Sequence, residues 1–239
     1  MDGLEAAAVS VLKRAVELDT KRRWTESMTC YQEGLHLLME VIKGLPEGSR
    51  RSAFRTKATE YMDRAEKLKT QIEAEKRLGK YHEQLHIDED STGHSYESVF
   101  GRFLDSAVTV VEVEDPYIRA VHQCYNFLRL CELCVRKCPR LRQITLLTGS
   151  DPGDADAQRE RLNKIGASLS ERGVKLAITF SETLHDREIR INNGWIIKIG
   201  RGLSYFKPPA SKFCLGYNDL DLRPCQETTV DIIHKAASK

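Results

Sequence analysis

The spacing of apolar residues changes once along this chain, close to residue 79. Before that point apolar residues recur in steps of three and four, which is the period of one face of an α-helix. Beyond about residue 95 they form short runs that alternate with helical stretches, as in a sheet packed against helices. The two patterns require different secondary structure, so we expect a helical domain at 1–78 and an α/β domain at 95–239.

The first 78 residues carry three apolar stripes of helical spacing, from Leu4 to Leu18, from Trp24 to Leu45 and from Phe54 to Ile72. The stripes are interrupted at 19–23 and at 46–49, where polar residues, Pro and Gly favour the end of one helix and the start of the next. Because short connections make neighbouring helices antiparallel, this pattern predicts a small three-helix bundle.

Residues 79–94 lose the helical pattern and become polar and acidic, with Gly, Ser and Thr. We place the domain boundary there and interpret the stretch as a linker. Part of it, 84–87, also fits an edge strand of the second domain, and the sequence leaves both interpretations open.

The second domain shows a β-α-β-α-β series. The predicted strands are 107–113, 141–148 and 174–180, and the predicted helices are 118–137 and 155–172. Such a series places a site in the loops at the carboxyl ends of the strands. Asp115-Pro116-Tyr117 follows the first strand and either lines that site or forms a plain turn with Pro at a favoured position.

A β-hairpin follows the third strand, in the sequence HDREIRINNGWIIKIGRGLSYF at 185–206. Ile189 and Ile191 alternate with charged residues before the turn pair Asn193-Gly194, and three apolar residues alternate after it.

His185, Arg187 and Asn192 stand at H-x-R-x-x-x-x-N within this hairpin. The spacing resembles the H-x-K-x-x-x-x-D signature of the phospholipase D superfamily, with its Lys and Asp replaced. In that family the His attacks phosphorus, the Lys binds phosphate oxygens and the Asp supports the His. Asn192 can hold a ring in place but cannot stabilise an imidazolium, whereas Arg187 can still grip a phosphate.

Active sites of the superfamily combine two such motifs, and no second H-x-K or H-x-R occurs among the seven histidines of this chain. We therefore expect a protein that is not an enzyme. The alternative is a phosphodiesterase in which a homodimer brings two copies of His185 together, as the superfamily's single-motif members do.

Charge is nearly balanced in both predicted domains. Residues 1–78 contain 15 Lys or Arg and 13 Asp or Glu, which leaves 22 of each for the remainder. This balance argues against nucleic acid as a partner. The stretch 185–212 is the exception, because six basic residues face two acidic ones there. These basic residues are Arg187, Arg190, Lys198, Arg201, Lys207 and Lys212.

Several basic groups near an anionic bilayer contribute about 1 kcal/mol each, so this stretch predicts a salt-sensitive membrane-binding surface. A solvated hairpin face without a partner is the alternative.

Composition describes an ordinary globular protein, with 239 residues, 41% hydrophobic and 30% charged. No apolar run approaches the length of a membrane span, and the first ten residues lack the order of a signal peptide. We expect a cytoplasmic protein whose seven scattered cysteines stay reduced. Cys131 and Cys134 share one helical stripe with Cys124 and Cys138, which favours a buried face over a zinc site. We therefore expect no metal and no cofactor.

Three segments, VLKRAVELDTKRRW, CYQEGLHLL and YMDRAEKLK, resemble the MIT (microtubule interacting and trafficking) domain. GWIIKIGRGLSYF and EDPYIRAVHQCYNFLR resemble the phospholipase D-like domain that follows an MIT domain in one family. The resemblance covers nearly the whole chain and implies a three-helix bundle followed by a mixed sheet with helices on both faces.

The resemblance also implies partners and a process. It implies that the bundle binds helical tail motifs of ESCRT-III subunits, in the groove between its second and third helices. It implies binding of the second domain to acidic, phosphoinositide-containing membrane, a homodimer through that domain, and a role in cytokinetic abscission at the midbody and late endosome membrane.

The third predicted helix carries residues suited to such a groove. Met62 lies off the apolar stripe, and Glu66 and Lys69 follow it by four and seven residues, so one face has an apolar spot flanked by charges. Asp63 or Glu66 can pair with a basic residue of an incoming helix. The alternative is that Met62 only widens the core seam of the bundle.

Overall fold

A computed structural model describes residues 2–235 and divides the chain into two compact units, one ending at Glu83 and one beginning at Gln84. The first unit contains three helices, as predicted. They are α1 (Asp2–Thr20), α2 (Trp24–Gly44) and α3 (Ser49–Arg77). Within residues 2–235, no helix is long and apolar enough to cross a membrane.

The helices pack through the predicted stripes, with small shifts. The buried apolar side chains of the three helices are Ala8, Leu12, Ala15, Leu18, Trp24, Tyr31, Leu38, Val41, Ile42, Ala58, Ala65, Leu68 and Ile72. Leu4 at the start of the first stripe is exposed instead. Gly34 of α2 lies so close to Leu12 of α1 that an added Cβ would stand 2.6 Å from Cγ of that leucine. A small residue at this crossing therefore lets the two helix backbones approach each other.

The second unit is built on a seven-stranded mixed sheet in the order β1-β7-β6-β5-β2-β3-β4. The strands are β1 (His82–Ile87), β2 (Val110–Glu114), β3 (Gln143–Thr148), β4 (Lys175–Phe180), β5 (Glu188–Ile191), β6 (Trp195–Ile199) and β7 (Thr228–His234). β2, β3 and β4 are parallel, whereas β5, β6 and β7 pair antiparallel, so the expected hairpin of β5 and β6 joins the sheet beside β2.

Two long helices connect the parallel strands, α5 (Val121–Lys137) between β2 and β3 and α6 (Ala155–Ser170) between β3 and β4. The short α4 (Tyr96–Phe100) precedes β2 and contacts α5. The predicted mixed sheet with helices is confirmed, but α5 and α6 contact each other and lie on one face rather than on two. Consecutive right-handed crossovers in one direction along a sheet place their helices on the same side.

The two faces of the sheet differ sharply in polarity. Side chains of one row across β2, β5 and β6 are Val113, Ile189 and Ile197, all buried on the helix side. The next row carries Glu114, Glu188 and Lys198 on the opposite face. Successive side chains of a strand point to opposite faces, which produces this division, although Ile196 on the polar face is buried as well.

The stretch 79–94, interpreted as a linker, contains β1, and this edge strand begins two residues before the 84–87 segment considered for it. Its burial alternates strictly, with Glu83, Leu85 and Ile87 buried and His82, Gln84 and His86 exposed. β7 was not predicted, although Val230 and Ile232 alternate with more polar residues there.

The four cysteines considered for zinc lie on or next to α5 and are buried, which confirms the prediction of a buried helix face. Burial raises the pKa of the Cys134 thiol far above its ordinary value, and it raises the pKa of Cys138 to about 11. A thiol held neutral in this way is a poor metal ligand and a poor nucleophile.

Candidate functional site

The predicted peptide-binding residues all lie on the exposed side of α3. Met62 is 41% exposed, and Asp63, Glu66 and Lys69 are exposed as well. Since the side of α3 that packs in the bundle carries Ala58, Ala65, Leu68 and Ile72, Met62 is outside the core seam. An exposed methionine bordered by charges is a surface that a partner helix can cover.

A second apolar surface lies between α1 and α3 and was missed in the sequence. It is a groove of about 550 Å³ whose lining includes Val9, Val16, Phe54 and Tyr61. Val9 and Val16 are 55% and 43% exposed. They stand seven residues apart and off the buried stripe of α1, so their spacing was the available signal.

The structure does not bring His185 and Asn192 together, because they lie beyond opposite ends of β5. Asn192 instead holds the start of β2. Its Oδ1 accepts hydrogen bonds from the backbone N–H of Thr109 and Val110, at 2.9 and 3.1 Å, and its Nδ2 donates to Oγ1 of Thr109. The suggestion that Asn192 holds the imidazole in place is therefore incorrect.

His185 itself is exposed and borders a cleft of about 430 Å³. Three carboxylates line that cleft, from Asp186, Glu188 and Asp231, against the cations Arg187 and Lys198. A surplus of negative charge disfavours the approach of a phosphodiester. The cleft around His185 is thus poorly suited to the phosphodiester chemistry of the phospholipase D superfamily.

The six basic residues predicted to face a membrane divide into two groups. Arg190 pairs with Glu114 at 2.8 Å and with Glu188, Lys198 lies 3.6 Å from Glu188, and Lys207 pairs with Glu89 and Asp90 at 2.5 and 2.7 Å. Arg187, Arg201 and Lys212 have no ion pair within residues 2–235. The local positive charge available to a ligand is therefore smaller than the sequence count.

Arg187 belongs to a cluster that the sequence did not reveal, which we call the arginine cluster: Arg119, Arg161 and Arg187 around Tyr117. The guanidinium carbons of Arg187 and Arg119 lie 4.6 and 5.4 Å from the ring centre of Tyr117, and Arg161 donates to the backbone carbonyl of Arg119 at 3.2 Å. The nearest ion-pair partner is Asp154, 3.8 Å from Arg161. All three Nε atoms are buried without a hydrogen-bond partner among the described residues.

Two buried side chains position this cluster at the carboxyl ends of β2 and β3. Gln158 of α6 donates to the carbonyls of Ile118 and Gly149, at 2.8 and 2.9 Å, and so ties together the loops that follow the two strands. Asp115 accepts from the backbone N–H of Tyr117 and Leu203, at 2.9 and 3.0 Å. Asp115-Pro116-Tyr117 therefore both forms a fixed turn and borders the site.

Gly202 is required for that arrangement. Its φ of 58° lies in the left-handed region, and an added Cβ would stand 2.1 Å from Oδ2 of Asp115. Burial raises the pKa of the Asp115 carboxyl, against the opposing effects of its two backbone donors and of the Arg187 charge. Hydrogen bonds and a nearby guanidinium thus compensate part of the cost of burying this carboxyl.

Arg119 and Arg161 come from the loop after β2 and from α6, and Arg187 comes from the loop before β5. Arg187 was singled out in the sequence by the H-x-R spacing, whereas the only signal for Arg119 was the position of EDPYIR directly after a predicted strand, and Arg161 had none. Arginines with unsatisfied donors beside an aromatic ring form a favourable site for a phosphate or another anion.

Comparison with known proteins assigns both parts of the chain. Residues 5–70 match the MIT (microtubule interacting and transport) domain, and residues 93–234 match the family described as the phospholipase D-like domain at the C-terminus of MIT. Mouse MIT domain-containing protein 1 is 54% identical over 239 residues, covering 100% of this chain and 96% of the mouse protein. Mouse sorting nexin-15 is 31% identical over 65 residues, 27% of this chain and 19% of the nexin. The chain therefore belongs to the family in which a phospholipase D-like domain follows an MIT domain.

Proposed function

We propose that this protein is a non-enzymatic adaptor. Its MIT domain binds the carboxy-terminal helices of ESCRT-III subunits, and its phospholipase D-like domain binds acidic, phosphoinositide-containing membrane. The arginine cluster is the observation that carries the proposal, since it gathers three guanidinium groups at the carboxyl ends of parallel strands, two of them without an ion pair within residues 2–235, while His185 lies apart among carboxylates. We further propose that the protein acts in cytokinetic abscission, at the midbody and on late endosome membrane.

Peptide binding is tested by charge insertion at two exposed sites of the bundle. Met62→Asp should weaken the binding of an ESCRT-III tail peptide about tenfold or more, because an unpaired carboxylate would replace the apolar contact. Val16→Asp places the same charge in the groove between α1 and α3 and is the matched control. Both positions are exposed, so both variants should remain helical by circular dichroism.

Fluorescence anisotropy of a labelled tail peptide distinguishes the two surfaces. Loss of binding in Met62→Asp alone supports the face of Met62, Asp63, Glu66 and Lys69. Loss in Val16→Asp alone would place the peptide between α1 and α3. Undiminished binding in both variants would overturn the proposal that either surface holds the tail.

Membrane binding is tested by neutralising the arginine cluster. The double variant Arg119→Gln and Arg187→Gln should detach the protein from vesicles that contain phosphatidylinositol phosphate, because both changes remove anion contacts. Arg172→Gln removes an exposed charge after α6 and serves as the control. Wild-type sedimentation should also fall as salt increases. Equal sedimentation of all three proteins would exclude the cluster as the membrane site.

The absence of catalysis and the proposed homodimer need separate measurements. Purified protein should hydrolyse neither phospholipids nor a generic phosphodiester above the blank. Turnover that disappears in His185→Ala would establish the phosphodiesterase alternative instead. We also propose that the second domain forms a homodimer, which doubles the membrane contacts of one assembly. A monomeric mass by light scattering would refute this part alone.

A further inference from the structure

A second cleft with basic side chains lies beside α5, and none of its lining residues belongs to the arginine cluster. It has a volume of about 480 Å³, which falls in the ordinary range of ligand sites. The side chains that matter here are those of Tyr125, Arg129, Ser204, Lys207, Tyr217 and Arg223. None of the residues that line the cleft is Asp or Glu.

Arg223 is the most unusual of these residues, because it is 7% exposed and its charge has no carboxylate partner within residues 2–235. Its guanidinium donates to the backbone carbonyls of Gly216, at 2.5 Å, and Tyr217. Neutral carbonyls orient a guanidinium but do not neutralise it. A buried charge without a counter-ion is expensive, so an anion at this place would relieve the cost.

The neighbouring groups add positive charge to this cleft, although Arg129 also borders a second cleft that is lined by Glu97, Glu132, Asp219 and Asp221. Arg129 makes a hydrogen bond of 3.2 Å to Oδ1 of Asn126, one turn away on α5, and it has no ion pair among the residues described. Desolvation and the nearby Arg129 charge both lower the pKa of Arg223. Lys207 adds little, because Glu89 and Asp90 already neutralise it.

Ser204 supplies an unused polar group. Its Oγ is buried and has no hydrogen-bond partner among the described residues. Buried hydroxyls are usually paired, so an unpaired one in a basic cleft marks a place where a ligand oxygen fits. Two guanidinium groups and one hydroxyl together match the several acceptor oxygens of a phosphate.

The segment between Pro209 and Tyr217, which borders this cleft, also carries two apolar side chains in water. Phe213 is 100% exposed and Leu215 is 87% exposed, and they lie between Pro209 and Tyr217, which both line the cleft. Lys212 precedes them, is exposed and has no ion pair within residues 2–235. Large apolar residues exposed together with a cation are typical of a segment that enters the interface of a bilayer.

We propose that this cleft binds the phosphate of a membrane lipid headgroup through Arg129, Arg223 and Ser204, while Phe213 and Leu215 enter the lipid beside it. This inference rests on the membrane binding proposed above and adds a defined headgroup site to it. The exposed apolar pair selects a lipid over a soluble phosphate compound, since a soluble ligand would leave Phe213 and Leu215 in water.

Two measurements on the full chain test the site, calorimetric titration with inositol trisphosphate and sedimentation with phosphatidylcholine vesicles with or without phosphatidylinositol phosphate. Arg129→Gln should weaken both kinds of binding about tenfold or more, because it removes a charge-assisted hydrogen bond to phosphate. Arg136→Gln is the control on the same helix, since Arg136 pairs with Glu97 outside the cleft. Joint replacement of Phe213 and Leu215 by Ser should weaken only vesicle binding.

The outcomes separate this inference from the proposed function. If wild type binds vesicles and neither Arg129→Gln nor the joint replacement of Phe213 and Leu215 by Ser changes this binding, the cleft is not the headgroup site. The proposed membrane binding would then stand. Binding of inositol trisphosphate that depends on Arg129, without any vesicle binding by wild type, would overturn both the lipid source and the proposed membrane role. Thermal melts should show that Arg129→Gln and Arg136→Gln are equally folded, and Arg223→Lys, which keeps the buried charge, should retain more phosphate binding than Arg129→Gln.

Discussion

The two units of this protein hold their charges in different ways. In the helical unit, several exposed ion pairs join residues three or four apart on one helix, as Lys57 and Glu60 do at 2.6 Å. In the sheet unit, a buried carboxylate such as Glu188 meets Arg190 and Lys198 from its own and the next strand, and the buried Arg223 meets no acid in the described chain. The pair of Lys57 and Glu60 follows from spacing along one helix, whereas the pairs of Glu188 with Lys198 and of Arg190 with Glu114 depend on how separate strands meet.

The chain offers one reporter for each unit, which makes this contrast measurable. Its two tryptophans are Trp24 at the start of α2 and Trp195 at the start of β6, and both are buried. Trp24→Phe leaves fluorescence that reports the sheet unit, and Trp195→Phe leaves fluorescence that reports the helical unit. The following stability predictions use these two backgrounds with urea unfolding.

The largest expected effect comes from Gly202→Ala in the sheet unit. The new Cβ would collide with the fixed carboxylate of Asp115 and force a left-handed backbone on alanine. We expect a loss of about 3 kcal/mol or more in the free energy of unfolding reported by Trp195.

Gly34→Ala in α2 is the matched control from the helical unit. Its Cβ would also meet an atom at 2.6 Å, but that atom belongs to the flexible side chain of Leu12. Alanine gains about 1 kcal/mol in helix propensity over glycine, which offsets part of the clash. Equal losses in the two variants would show that a fixed neighbour matters no more than a flexible one.

A smaller effect is expected from Glu188→Gln, which tests the contrast between buried and exposed ion pairs. Removing this buried carboxylate leaves Lys198 without its partner and Arg190 with Glu114 alone, so we expect a loss of about 2 kcal/mol. Glu60→Gln, which breaks the exposed pair with Lys57, should cause no measurable change. A loss in Glu60→Gln as large as that in Glu188→Gln would contradict the distinction.

The last expected effect is absent near neutral pH and develops only in alkali, as a pH dependence of the helical unit. Burial, with the Asp19 charge as the second cause, raises the pKa of Tyr31 from its ordinary value of 10 to about 12. A phenol whose pKa rises on folding contributes stability that is complete below pH 10 and is lost as the pH rises through 12. Tyr31→Phe has no phenol to ionise and so does not lose this stability. The difference in free energy of unfolding between wild type and Tyr31→Phe should therefore narrow between pH 10 and 12.

The measurement is the urea midpoint reported by Trp24 at a series of alkaline pH values. A difference between wild type and Tyr31→Phe that stays constant from pH 10 to 12 would refute the elevated pKa of Tyr31. Such a result would mean that the hydroxyl of Tyr31 ionises as it does in the unfolded chain, so burial would not affect its ionisation.

The bounds of the helices and strands that the sequence predicted agree with the structure to within a few residues. α5 was expected from 118 and begins at Val121, and β4 was expected from 174 and begins at Lys175. The sequence also indicated that Met62 is exposed, because a residue off the apolar stripe of a helix points away from the core, toward solvent or a partner. β7 was missed because its alternation is short and is interrupted by the adjacent apolar pair Ile232 and Ile233.

The candidate site was harder to predict than the fold. The spacing of His185, Arg187 and Asn192 indicated one site, yet β5 lies between the first and the last of them. The count of basic residues in 185–212 predicted a charged surface, but Arg190 and Lys207 pair with carboxylates from other segments. Local spacing records neither the direction of a side chain nor the partner that neutralises it.

The sequence by itself determined where helices and strands form and which of their faces are apolar, because periodicity and turn residues act over a few neighbours. Only the tertiary structure decided which charges stay available to a ligand. Arg119 meets Arg187, and Arg129 meets Arg223, across loops and strands that are distant along the chain. Such meetings depend on the order and register of the whole sheet, which forms through contacts between remote segments.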